Sequence, residues 1–309
     1  MDLNLNCRLI CASQASYAIG WDQITGAAVP ENISDINFRQ QYEALEVQGS
    51  PYIVVADKKN AALVVRTPHE IILAYRGTVF DSVTDWINNI LVKQETNDDL
   101  TGKVHDGFLK AMLELAPGVN TALMALTAEA PDVKIYITGH SKGGGIAPIA
   151  AMYLTPAYKF TVENVVTFAG PSPGDGDFAN AFNAQFPNAE SYQNSLDIVP
   201  LLPPGRLEAG EIAFISDFPK PLRAAIAGVA LLFDYQGVGT VKCIDLDGNV
   251  VTNPADIPGL FDRLSAIATS LKVSYKEVLA AHTAGCGFRY MHAVCEGTVC
   301  IINPADELQ

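Results

Sequence analysis

The sequence predicts an α/β fold: a mostly parallel sheet flanked by helices. Three observations carry that expectation. Short apolar runs alternate with helix-compatible stretches through the middle of the chain, the pattern that builds a sheet covered on both faces. The run Ile135–Thr138 passes through Gly139-His140-Ser141-Lys142-Gly143 into a helix-compatible stretch, Gly145–Leu154, which makes a strand–turn–helix unit. And the 309 residues are 49% apolar but only 17% charged, enough to fill a sizeable core.

The elements follow in order. Cys7, Ile10, Cys11, Ala15 and Ala18 recur at helical spacing and predict an N-terminal amphipathic helix. Tyr52–Ala56 and Ala61–Val65 read as strands joined across Asp57–Asn60. Ile71–Tyr75 is a third strand, ending at Arg76-Gly77-Thr78. Phe108–Glu129 is helical, with an interruption expected at Pro117-Gly118. Val165–Phe168 is an apolar strand closed by Gly170-Pro171. Thr240–Ile244 and Val250–Thr252 flank Asp247-Gly248, a hairpin signal. The apolar segment Leu222–Phe233 reads as a buried helix or a flap, and the buried helix is the expectation. With no repeat and no linker, residues 1–309 are expected to form a single domain.

Bulk charge narrows the function classes. A net charge of −14 disfavours nucleic acid, which needs basic surface to neutralise phosphates, and disfavours anionic membranes. No apolar run reaches the length of a membrane span. Met1-Asp2-Leu3-Asn4 lacks the basic and apolar regions of a secretion signal. The six cysteines form no C-x-x-C pair, so no zinc site is expected; Cys7 and Cys11, one helical turn apart, read as core residues, and no disulfide is demanded.

The chemistry gathers at Gly139–Gly143. A G-x-S-x-G turn between strand and helix holds its serine on a strained corner, where side chains in place of Gly139 or Gly143 would block the approach of strand and helix. The backbone N–H of Lys142 then opens a helix, where positive potential favours a developing oxyanion. Serine needs a base, and the base needs a carboxylate to orient it. Only His282 and His292 follow Ser141. Asp197, in Ser195-Leu196-Asp197-Ile198-Val199-Pro200, reads as a loop at the C-terminal end of a strand, where ligands and catalysis gather in open α/β sheets.

A series of short motifs falls in order: Tyr75-Arg76-Gly77-Thr78, Asp85-Trp86, Val104-His105-Asp106-Gly107-Phe108, Gly139-His140-Ser141-Lys142-Gly143-Gly144, Thr167-Phe168-Ala169-Gly170-Pro171 and Asp197-Ile198-Val199-Pro200. Together they resemble the class 3 lipases, the fungal-lipase-type branch of the α/β-hydrolase fold. The resemblance covers residues 61–204 firmly and the rest loosely. It implies a serine carboxylic-ester hydrolase, a triacylglycerol lipase or esterase, with Ser141, Asp197 and His282 as the triad and no cofactor or metal. Similar lipases place the histidine on a loop before a helix that carries a tyrosine, which favours His282, ahead of Tyr290, over His292.

The resemblance further implies that Thr78 is the second oxyanion donor beside Lys142, and that Val79–Gln94 is a lid that touches the lipid interface. Phe80, Val83, Trp86, Ile87, Ile90 and Leu91 give that segment an apolar face, which suits a lid and a core helix equally. His105 and His140 are expected to be structural. Lys142 stands where many relatives are apolar, and Ser172 where arginine is common. The stretch 203–235 reads as an insertion. The expected partner is a lipid or small ester. A phospholipase A1 or feruloyl-type esterase would use the same triad, since fold and nucleophile do not set substrate. A non-catalytic binding module is the reading from another class.

Overall fold

The computed structural model describes residues 3–19, 36–56, 60–78, 91–215, 220–273, 280–284, 289–296 and 298–299. Its centre is an eight-stranded sheet, β1 (Tyr52–Ala56), β2 (Asn60–Arg66), β3 (Ile71–Tyr75), β6 (Ile135–His140), β7 (Val162–Phe168), β8 (Glu190–Asn194), β9 (Thr240–Ile244) and β10 (Val250–Val251), in that spatial order. A small ribbon pairs β4 (Gln94–Glu95) with β5 (Val104–His105). Strands β3, β6, β7, β8 and β9 run parallel, and the sheet is antiparallel at both edges. Every parallel strand therefore delivers its C-terminal end to one edge of the sheet, where ligands bind in open α/β folds.

Helices cover both faces. Helix α1 (Leu5–Ala15) and the C-terminal helix α9 (Arg289–Cys295) pack on one face with Leu63, Val65, Ile72 and Phe168. On the other lie α3 (Asp106–Glu129) and α4 (Lys142–Tyr158), against Val64, Leu73 and Ile137. Helix α2 (Ile36–Ala44) precedes β1, and α5 (Gly176–Gln185) lies between β7 and β8. The insertion forms two helices, α6 (Arg206–Phe214) and α7 (Lys220–Leu232). Helix α8 (Leu260–Val273) follows β10.

Two expectations about helices change. The break at Pro117-Gly118 does not occur, and α3 runs unbroken through both residues. Pro117 lies on the exposed side, where the carbonyl that loses its donor can meet solvent, and Gly118 lets the helix close on β1: a Cβ there would sit 2.6 Å from Val54 Cγ1. Burial of Phe108, Met112, Leu115, Val119 and Leu126 along one face outweighs the propensity cost of roughly 3 kcal/mol for proline and 1 kcal/mol for glycine. The expected buried helix at Leu222–Phe233 is helical but lies at the surface, with Ile226 and Ala230 turned inward and Leu231 and Leu232 exposed.

The cysteines also depart from expectation. Cys7 on α1 and Cys295 on α9 form a disulfide across 288 residues, with their Cα atoms 4.8 Å apart. The separation in sequence hid the pair, since Cys7 beside Cys11 reads as a buried core residue. Cys11 remains a thiol in the same cluster, and burial pushes it up to about 12.

Candidate active site

The turn after β6 is held by close packing. A Cβ on Gly139 would lie 2.3 Å from the Gly143 carbonyl group, and one on Gly143 would lie 2.0 Å from the Tyr75 carbonyl oxygen. Both glycines are therefore required, and the turn is pressed against the end of β3. Ser141 takes φ 58° and ψ −130°, a strained conformation for a residue with a Cβ. Its N–H donates to the Phe168 carbonyl at 3.0 Å, and its carbonyl accepts from Gly144 N–H at 2.8 Å, so the strain is fixed from both sides. Ser141 is the N-cap of α4, and Lys142 is the first helical residue, at the positive end of the helix.

Three side chains meet at the C-terminal edge of the sheet. Ser141 Oγ, after β6, lies 2.9 Å from His282 Nε2. His282 Nδ1 lies 2.9 Å from Asp197 Oδ2, in the loop after β8. Since Asp197 can accept from Nδ1–H, Nε2 is left to accept the serine proton. Asp197 is fully buried and its carboxylate takes three hydrogen bonds: from His282, from Val199 N–H to Oδ1 at 2.9 Å, and from the Tyr290 hydroxyl to Oδ2 at 2.9 Å. Tyr290 in turn accepts from Asn194 N–H at 2.8 Å, so α9 is keyed to the end of β8. Burial, reinforced by the Asp197 carboxylate, pushes the Tyr290 phenol well up, and it stays a donor. Ser141 is itself fully buried and His282 nearly so.

The second histidine of this cluster is His140. Its Nε2 lies 2.7 Å from the His282 carbonyl, which can only accept, so Nε2 carries the proton. Its Nδ1 then accepts from the Tyr17 hydroxyl at 2.9 Å. Burial, with a smaller contribution from His282, holds the His140 imidazole down to about 3. His140 thus braces the backbone of His282 in the neutral state. Tyr17 carries no motif, and nothing in the sequence marks it. His105 is spent on structure: its Nδ1 caps α3 by accepting from Phe108 N–H at 3.2 Å, and its ring stacks on Phe108.

His292 is exposed on α9, whereas His282, expected on a loop, has helical backbone with Ala280 and Ala281 and lies at the serine. Thr78 stands beyond Arg76 and Gly77, after the strand end at Tyr75 against which Gly143 packs. The Lys142 side chain turns to Asn60 at the start of β2, so its cation is directed along the sheet. Ser172 N–H donates to the Leu202 carbonyl at 2.8 Å, and the residue is buried. Of Val79–Gln94, residues 79–90 lie outside the described residues; Leu91 to Gln94 lead into the small ribbon. Among the described residues one group of three side chains could approach a metal together, Cys7, Cys11 and Cys295, and two of its three sulfurs are joined in the disulfide.

Part of the chain is similar to known proteins. Residues 72–207 match the family described as Lipase (class 3). The chain is similar to a secreted mono- and diacylglycerol lipase of Fusarium solani, 35% identical over 156 residues that cover 49% of this chain and 45% of that protein. It is similar to a lipase of Rhizomucor miehei, 31% identical over 165 residues, 50% of this chain and 45% of that protein. The chain thus spans about half the length of the curated relatives it matches. Among solved structures, a Rhizomucor miehei lipase propeptide complex aligns over 94% of this chain and 79% of its own, with a TM-score of 0.59 and 20% identity. A crystal structure of a mutant form of MDLA from Penicillium cyclopium aligns over 85% of this chain and 88% of its own, at a TM-score of 0.57 and 19% identity. The fold is that of the α/β-hydrolases, and the resemblance read from the motifs holds over residues 72–207.

Proposed function

We propose, from a class 3 lipase segment at residues 72–207, that the chain is a single-domain serine carboxylic-ester hydrolase acting on acylglycerols. The observation that carries the reading is the continuous line of hydrogen bonds Ser141–His282–Asp197, both links at 2.9 Å. Substrate class is taken from the relatives, among them the mono- and diacylglycerol lipase of Fusarium solani.

The mechanism follows from the donors and acceptors. Ser141 Oγ attacks the ester carbonyl carbon as His282 Nε2 takes its proton. The carbonyl oxygen becomes an oxyanion facing the N–H groups of Lys142 and Thr78. Collapse breaks the bond to the alcohol oxygen, and His282 returns the proton to the departing alcohol. Water, deprotonated by the same histidine, then attacks the acyl-enzyme, releasing the acid and regenerating Ser141. Asp197 holds the imidazole in the tautomer that makes Nε2 the base and offsets the charge that develops on it. Because Ser141 is buried, substrate entry requires movement above it, and Val79–Gln94 is assigned that role.

The test is hydrolysis of p-nitrophenyl esters from acetate to palmitate, with acylglycerol and phospholipid alongside, by wild type, Ser141→Ala, His282→Ala and His292→Ala. Ser141→Ala and His282→Ala are each expected to lower kcat by about 10⁴-fold or more, with His292→Ala near wild type. Collapse in His292→Ala alone would reassign the base. A wild type inert on every ester and unlabelled by a fluorophosphonate would leave a binding module.

A further inference from the structure

The helical pair of the insertion has a surface that a helix at an aqueous boundary does not normally carry. From Ala224 to Phe233 the chain reads Ala-Ala-Ile-Ala-Gly-Val-Ala-Leu-Leu-Phe, without one polar side chain. A helix apolar all round belongs in a core or in lipid. Here α7 buries Ile226 and Ala230 and turns Ala224, Ala227, Gly228 and Leu231 outward at i, i+3, i+4 and i+7. Leu231 is 82% exposed and its neighbour Leu232 76%. Helix α6 repeats the arrangement: Leu207, Gly210 and Phe214 face outward, with Phe214 86% exposed. Between the helices lies a groove of about 410 Å³, lined by Arg206, Ala209, Gly210, Ala227, Ala230 and Leu231. A contiguous apolar patch of this kind marks an interaction surface.

Length and charge identify the partner. At 13 residues α7 is about 20 Å long, well short of the roughly 30 Å a bilayer core demands, so it suits lying in an interface over crossing one. Residues 206–233 carry three basic and three acidic side chains, net zero, in a chain of net charge −14. The pair is thus a neutral island on an acidic protein, matched to an uncharged lipid surface and repelled, through the rest of the chain, by an anionic one. Its place fits as well. The pair starts a few residues beyond Asp197. Its far end is tied to the ribbon that terminates Val79–Gln94: the Tyr235 hydroxyl donates to the Val92 carbonyl at 2.9 Å, and Gln94 Nε2 donates to the Asp234 carbonyl at 3.3 Å.

We propose that the outward faces of α6 and α7 form a docking surface for a neutral acylglycerol-covered interface, set beside the ribbon at Val92 and Gln94. The identity of the lipid rests on the ester-hydrolase reading; the docking itself is read without catalysis. The experiment is flotation of the full chain with triolein droplets coated in phosphatidylcholine, and with phosphatidylserine vesicles. Wild type is compared with Leu231→Gln/Leu232→Gln on α7 and Leu207→Gln/Phe214→Gln on α6. Hydrolysis of dissolved p-nitrophenyl acetate and mass by light scattering are measured on the same samples.

Wild type is expected to float with the neutral droplets and not with the anionic vesicles. Each double variant is expected to lose adsorption by about tenfold or more, the scale set by two large apolar side chains, while the soluble-ester rate holds. Equal adsorption of wild type and both variants, or a wild type that does not adsorb, would overturn the proposal. So would a dimeric wild type whose variants become monomers yet adsorb as before, which would make the patch a contact between copies. A protein that adsorbs through these leucines yet cleaves no ester would sink the hydrolase reading and leave the docking surface standing.

Discussion

Around Asp197 the carboxylate oxygens accept three hydrogen bonds in a site closed to water; from Arg206 to Phe233, a few residues further on, large apolar side chains stand in solvent. Both regions break a rule of ordinary globular folding, and in opposite senses. The first buries a carboxylate, which is tolerable only because each of its oxygens is met by a donor of fixed geometry. The second exposes what would elsewhere be core. The two regions therefore answer to different kinds of damage. Atom-sized changes should be felt strongly in the first, through chemistry and stability. In the second even large changes should leave the folded state untouched and alter only what it adheres to.

The sharpest attempt to break that contrast is Asp197→Asn. It keeps the shape but removes the acceptor that sets the His282 tautomer, and kcat on a soluble ester is expected to fall by about 10⁴-fold. A fall below tenfold would mean the line of hydrogen bonds is ornamental. Next in size is the acid sensitivity of the closed region. His140 titrates near 3 when folded and near 6.5 when unfolded, so between those values the unfolded chain binds more protons. Stability is expected to fall as pH drops from about 6.5 towards 3, by up to about 1.4 kcal/mol per pH unit from this group. His140→Gln, compared with wild type by denaturant unfolding at several pH values, should flatten that slope; an unchanged slope would remove His140 as its cause.

Tyr290→Phe comes third. It deletes one hydroxyl, withdraws a donor from Asp197 and leaves the buried Asn194 N–H without its acceptor, at an expected cost of about 1–3 kcal/mol in unfolding free energy. The smallest effect is expected from Phe214→Ser: a whole aromatic ring removed for less than about 0.5 kcal/mol of stability, read from the same denaturant curves. A larger loss would show that the patch is held against the protein in solution.

The sequence carried the closed region better than the open one. The nucleophile turn was legible because its glycines are demanded by contacts under 3 Å, which no other residue could satisfy. Asp197 was legible from its place after a strand, and His282 by order along the chain with the resemblance to help. Tyr290 was noticed only as a neighbour of His282; its bond to Asp197 spans 93 residues and has no local signal. Tyr17 and the Cys7–Cys295 pair were not legible for the same reason. Helix α7 misled because a run apolar on every face has no direction in it: periodicity reports which side a helix buries only when the other side is polar. Pro117-Gly118 misled because local propensity was read without the sheet that Gly118 packs against.

The disulfide has a mechanical meaning. Gripped at residues 7 and 295 and pulled, the molecule would carry the whole load on one sulfur–sulfur bond between Cα atoms 4.8 Å apart, and the sheet would bear none of it. With that bond cut, the same tension would pass into α1 and α9. The first contact of the Ser141–His282–Asp197 cluster to part would be the one Tyr290 makes from α9 to Asp197, so the cluster would loosen under force before the strands began to separate.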